Sequence, residues 1–215
     1  NVVGNINEHQ VAITETTFGG REELWPKNPV GGIDYVSLMA LGLQRAKTAR
    51  EAIRVMTDLV ARYGYASEGE SFSVADPNEA WILEMIGKGD SVKGAVWVAV
   101  RIPDDCISAH ANQSRIHRFN LKDKKNVMYA RDVISFARSK GYFKGSDDEF
   151  SFSDAFAPAD FSSQRFCEAR VWSLFNHFTT GMDKYVPFVD GKHIGTSEVM
   201  PLYVKPTQLL SLEDV

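Results

Sequence analysis

The sequence predicts an α+β fold built on an antiparallel sheet that is covered on both faces. Three observations carry this. Runs rich in β-branched and aromatic residues follow one another closely: "SFSVAD" (71–76), "AWILEMIG" (80–87), "AVWVAVRI" (95–102) and "CISAHA" (106–111). The connections Pro77-Asn78 and Gly87 to Gly94 carry turn chemistry, which favours sequential hairpin pairing. "AVWVAVRI" is apolar at successive positions, which a sheet with one wet face does not need.

The elements follow in order. "VAITETTF" (11–18) alternates and is rich in threonine, valine and isoleucine, so it is a strand. "GGREELWPKNPVGG" (19–32) is studded with glycine and proline and is a surface loop, long enough to line a site. "DYVSLMALGLQRAK" reads as helix. In "TAREAIRVMTDLVARYG", Thr48 and Glu51 make a capping box and Gly64 the stop, while Ile53, Met56, Leu59, Val60 and Tyr63 form one apolar stripe. That stripe needs a platform, and the strands after it supply one. In the second half, 128–142 is predicted helical, "FSFSDAF" (150–156) a strand and 163–181 a helix stopped by Gly181; the rest, with Pro187, Pro201 and Pro206, is extended or looped. No repeat, low-complexity tract or linker divides the chain, so residues 1–215 are read as a single domain.

Both ends read as cuts. The chain enters its first strand almost at once, and it finishes in "LSLEDV", where Ser211 caps a helix that has Glu213 and Asp214 in its first turn and no body. The natural protein is expected to be longer at each end.

Composition excludes several classes. With 24 Lys and Arg against 28 Asp and Glu, the net charge of -4 offers no general attraction to nucleic acid or anionic lipid. The longest apolar run, "GAVWVAV", is far short of the ~20 residues that span a bilayer. Cys106 and Cys167 match neither a redox pair nor a zinc spacing and read as two isolated buried thiols. His9, His110, His117, His177 and His193 are scattered, so no metal or other cofactor is nominated.

Few motifs point to chemistry by themselves. G-x-S-x-G is absent, and "GKGDSVKG" has the spacing of neither a P-loop nor a dinucleotide fingerprint. Glu84 interrupts a strand on the face of Ile82 and Ile86, where it is expected to be partly buried and ion-paired. "AHANQSRI" (109–116) packs an imidazole, two amides, a hydroxyl and a guanidinium into one stretch. Asn112 there is either a side-chain donor for a developing oxyanion or part of a hydrogen-bonded turn.

Longer blocks decide more. "NINEHQVAITETTFGGR" (5–21), "VADPNEAWILEMIGKG" (74–89), "VWVAVRIPDDCISAHANQSRI" (96–116) and the pair "FSFSDAFAP" and "RFCEARVW" (150–172) together resemble the bacterial dipeptidases of the N-terminal-nucleophile (Ntn) hydrolase superfamily, cysteine peptidases related to bile-salt hydrolase and penicillin V acylase. The resemblance implies an αββα sandwich, two antiparallel sheets between helical layers, here incomplete at both ends. It implies hydrolysis of short peptides through an acyl-enzyme on an N-terminal cysteine whose own α-amino group is the base. Residue 1 is Asn, so that nucleophile is expected upstream, and the fragment alone is expected to be inactive. Asn112 matches the family's oxyanion and substrate-binding asparagine, and Arg165 the arginine near the nucleophile. Thr17 falls where relatives carry a second active-site asparagine. Arg115 is a candidate to hold a substrate carboxylate, or else a surface ion pair. An N-acyl amide hydrolase and a catalytically silent peptide-binding homologue are the alternatives. Oligomerisation is common among Ntn enzymes, so a homo-oligomer is also in view, although no segment marks an interface.

Overall fold

In the computed structural model, which describes residues 4–27, 31–192, 199–211 and 213–214, the alternating runs form one large sheet. β1 (Gly4–Ile6) and β2 (Ala12–Gly19) pair first, and two helices follow, α1 (Tyr35–Arg45) and α2 (Ala49–Tyr63). The chain then runs as a meander through β3 (Gly69–Ala75), β4 (Ala80–Gly87) and β5 (Ala95–Ile102). After these come β6 (Ile107–Ser108), β7 (Val127–Tyr129), α3 (Val133–Ser139) and α4 (Phe152–Phe156). A π-helical turn, Ser163–Glu168, leads into α5 (Ala169–Phe178), followed by α6 (Val186–Val189) and β8 (Tyr203–Val204). Six strands make an antiparallel sheet in the order β1-β2-β3-β4-β5-β7, while β6 and β8 pair separately.

The local causes are legible at α2. Thr48 Oγ accepts from Glu51 N at 3.2 Å, and the Glu51 carboxylate reaches back to Lys47 N at 2.9 Å, one residue before the expected partner. Gly64 ends the helix with φ 98, a backbone that side chains resist. Tyr63 leaves the predicted stripe and is 48% exposed, while Ile53, Met56, Leu59 and Val60 are buried.

β4 shows why both faces are filled. Trp81, Leu83 and Met85 enter the core shared with α1 and α2, whereas Ile82 and Ile86 enter a second core with α3 and α4. A third, smaller cluster gathers Val171 and Phe175 of α5 with Phe188, Met200 and Val204.

Four expectations are corrected. The 106–111 run does not continue the meander: only Ile107–Ser108 is extended and it pairs with β8, so β7 takes the place beside β5. Residues 128–129, predicted as the start of a helix, therefore satisfy with Val127 the open edge of β5 as strand, and α3 begins only at Val133. The 150–156 segment is not a strand. Ser151 caps a helical turn by accepting from Asp154 N, and Phe152 and Phe156, four apart, bury on one side with ring centroids 4.9 Å apart. The tail after Gly181 is not wholly irregular: it has a 3-10 turn, Met182–Tyr185, and α6, whose first turn tolerates Pro187. His193 and the middle of the predicted 19–32 loop, residues 28–30, lie outside the described residues. At the C-terminal end Ser211 Oγ accepts from Glu213 N, as its capping role requires.

Candidate active site

Every polar side chain of "AHANQSRI" has a distant partner. The segment leaves β6 and crosses the face of the sheet opposite α1 and α2. His110 places its ring nitrogens 2.6 Å from Thr16 Oγ on β2 and 2.7 Å from Ser73 Oγ on β3. Burial, aided by the charge of Arg115, pushes its pKa down to about 4, so the ring is neutral and bridges two hydroxyls. Gln113 donates to Ala157 O at 2.8 Å.

Glu84 anchors the rest. Its side chain is fully buried, and its carboxylate accepts from Arg115 N at 2.6 Å, from Ile116 N at 3.2 Å and from the hydroxyls of Ser114 and Ser71. Among the described residues no basic side chain is ion-paired with it. Burial raises its pKa, and the backbone N–H of Arg115 opposes that most strongly. Backbone donors thus do the work predicted for an ion pair.

Arg115 is deeply buried and is not a surface residue. Its Nε donates to Glu168 at 2.9 Å, and its terminal nitrogens donate to Ala109 O and Pro201 O, each at 2.8 Å. The guanidinium joins the 109–116 segment, α5 and the strand region before β8, and the Phe175 ring lies 5.4 Å from it. With a longer bond to Leu202 O, these bonds use four of the five guanidinium N–H groups.

Asn112 stands at the turn of this segment in the left-handed region, φ 60, which asparagine tolerates better than most residues. Its Nδ2 donates to Thr17 O at 2.8 Å, and its Oδ1 accepts from Arg170 at 3.1 Å. The second hydrogen of the Nδ2 group has no partner among the described residues. Asn112 borders a cavity of about 390 Å³ together with Phe18, Gly20, Arg21, Gln113 and Ser163. A larger hollow of about 630 Å³, beside Arg101, Arg118 and Tyr203, is bordered by Arg115 but by neither Thr17 nor Asn112. Its size does not make it the site, because it lacks the convergent amide.

Of the residues singled out from the sequence, Thr17 and Asn112 are therefore in contact. Thr17 also donates its hydroxyl to Glu70 Oε1 at 3.0 Å. Glu70 is almost fully buried, and burial together with the Glu15 carboxyl beside it pushes its pKa up to about 9. The Oε2 atoms of both glutamates are buried and meet no donor, so a proton on Glu70 is what reconciles them. Arg165 is exposed on the π-helical turn, with no hydrogen bond to Thr17 or Asn112 among the described residues; it adds to the field of Lys192 that holds Asp190 low. The two cysteines are unpaired and partly exposed, not buried. Burial and the neighbouring Asp105 raise the Cys106 thiol.

Sequence reasoning missed His110, Glu70 and Arg170. His110 had a signal in its adjacency to Asn112. Arg170 had none, since it lies five positions beyond Arg165 in the same helix-forming run.

Comparison with known proteins gives a consistent result. The model of the family described as peptidase family C69 matches residues 1–215. A probable dipeptidase of Latilactobacillus sakei is 30% identical over 213 residues, covering 98% of this chain and 41% of the relative. A probable dipeptidase of Salmonella dublin is 28% identical over 207 residues, covering 95% and 44%, and dipeptidase A of Lactobacillus helveticus is 26% identical over 220 residues, covering 98% and 42%. The chain spans less than half the length of these relatives.

Proposed function

The chain belongs to peptidase family C69, and from that premise we propose that it is part of a dipeptidase that cleaves short peptides through a cysteine acyl-enzyme. The observation that carries the reading is the bond from Asn112 Nδ2 to Thr17 O, 2.8 Å long, at the edge of the cavity. It holds a side-chain donor at a fixed point beside the cavity, which is what a developing oxyanion needs.

On this reading the attacking sulfur is, as in the family the sequence resembles, that of an N-terminal cysteine outside these residues, although Cys167 borders the same cavity as Asn112. The thiolate adds to the scissile carbonyl carbon, and the carbonyl oxygen gains a negative charge to which the N–H of Asn112 donates. Collapse of that adduct breaks the C–N bond as the leaving nitrogen takes the proton that the cysteine's α-amino group removed from the thiol, and water then cleaves the thioester to give the acid and restore the thiol. Thr17 supplies its carbonyl as the fixed point for the amide. Arg165 is assigned the long-range positive field that favours the thiolate. Arg115 is kept out of the substrate-binding set, and its role is to hold the 109–116 segment against α5. The six-stranded sheet is assigned to one of the two sheets of an αββα sandwich, and the β6–β8 ribbon to the second, within a single domain.

Full-length enzyme assayed on dipeptides tests this. Asn112→Ala is expected to lower kcat about 100-fold. Asn112→Gly, which accepts φ 60 without strain, should lower it by a similar factor, separating the lost amide from backbone effects. Undiminished turnover in both variants removes the oxyanion role, and preferential hydrolysis of N-acyl amides by the wild type moves the substrate class.

A further inference from the structure

Asn112 can present its amide in two orientations, related by a flip about its last torsion, and only one directs N–H groups toward Thr17 and the cavity. Three bonds from one side chain bear on that choice. Arg170 Nη2 donates to Asn112 Oδ1 at 3.1 Å and to Ala111 O at 2.8 Å, while its Nε donates to Phe166 O at 2.7 Å. The Phe166 carbonyl belongs to the π-helical turn Ser163–Glu168. Among the described residues no carboxylate is ion-paired with Arg170.

We propose that Arg170 is a positioning residue for the peptidase reaction: held between the π-helical turn and the Ala111 carbonyl, it fixes the Asn112 amide with its oxygen toward the guanidinium and its N–H groups toward Thr17 O and the oxyanion. This rests on the dipeptidase reading of the same site. A guanidinium donates and never accepts, so the flipped amide would set its NH2 against a cation and lose the Thr17 bond at once. The cation also polarises the amide, making its N–H a stronger donor. Arg170 touches no reacting atom and acts through Asn112.

In the full-length enzyme, Arg170→Met is expected to lower kcat for a dipeptide about 10- to 100-fold with KM within about twofold. Arg170→Lys, which keeps the charge without the planar fork, should recover only part of that loss. In an Asn112→Gly background, Arg170→Met should cost nothing further, because its route runs through the missing amide. A rise in KM at unchanged kcat, or full additivity in the double variant, overturns the inference and leaves the dipeptidase reading standing. Wild-type enzyme that hydrolyses no dipeptide overturns the dipeptidase reading instead. The clamp is then decided by the side-chain amide 1H–15N resonances of Asn112, identified by their loss in Asn112→Gly. Their displacement in Arg170→Met supports the clamp, and unchanged resonances overturn it.

Discussion

The two faces of the six-stranded sheet treat polar groups in opposite ways. Toward α1 and α2 the sheet is nearly all apolar, and its buried acid Glu70 is kept as a protonated group beside Glu15. Toward the 109–116 segment it presents Thr16, Ser73 and Glu84, each joined to that segment, and Ser71, which donates to Glu84. Apolar area is non-directional and stabilises without fixing atoms closely, whereas hydrogen bonds between buried groups fix atoms at the expense of desolvation. The helix face therefore supports the fold, and the other face sets the geometry of Asn112.

The strongest way to break this contrast is Arg115→Met. It leaves the buried Glu168 without its cation and strips the donors from Ala109 O and Pro201 O, and it should destabilise the full-length protein by about 3–5 kcal/mol in urea titration. Activity should fall together with stability. Leu83→Ala on the helix face, where the side chain is fully buried, is expected to cost about 3 kcal/mol, from lost transfer energy plus a cavity. Its kcat at a temperature where it stays folded should remain near wild type. If Leu83→Ala reduces kcat as much as Arg115→Met does, the division between faces is wrong.

Titration sharpens the same contrast more gently. His110 has its pKa lowered in the folded state to about 4, so the unfolded chain takes up its proton first and stability is lost as pH falls from about 6.5 toward 4. That loss amounts to about 2 kcal/mol between pH 7 and pH 5, and His110→Gln should flatten it. Glu70 behaves inversely. Its raised pKa gives a contribution that is complete below about 4.5 and lost as pH rises toward about 9. Glu70→Gln should remove the alkaline part of the slope and leave the acid part alone. Unfolding midpoints measured across this range check both signs.

These pairs also explain what the sequence could and could not reveal. β2 through β5, α1 and α2 were legible because period, caps and turn residues are local. The Ser151 segment misled because Phe150, Phe152 and Phe156 fit an alternating pattern and a helical one equally well until Ile116 and His117 lay beside them. β6 misled because consecutive strands usually pair, and its true partner β8 arrives about a hundred residues later. At the site, Thr17 and Asn112 came from likeness between long blocks and not from their own chemistry. Glu70, His110 and Arg170 stayed hidden because their meaning lies in who faces them across the fold.

The Asn112 joint also has a kinetic meaning. It ties positions 95 apart through Thr17 and 58 apart through Arg170, whereas the β3–β5 meander closes through neighbouring hairpins. Loops of that length close at an entropic cost that short hairpins do not meet, so the meander can assemble well before the donor is seated. During synthesis and refolding there should be an interval in which the sheet is already protected from exchange and the proposed site does not yet exist, and in the full-length enzyme recovery of turnover should lag recovery of β-structure.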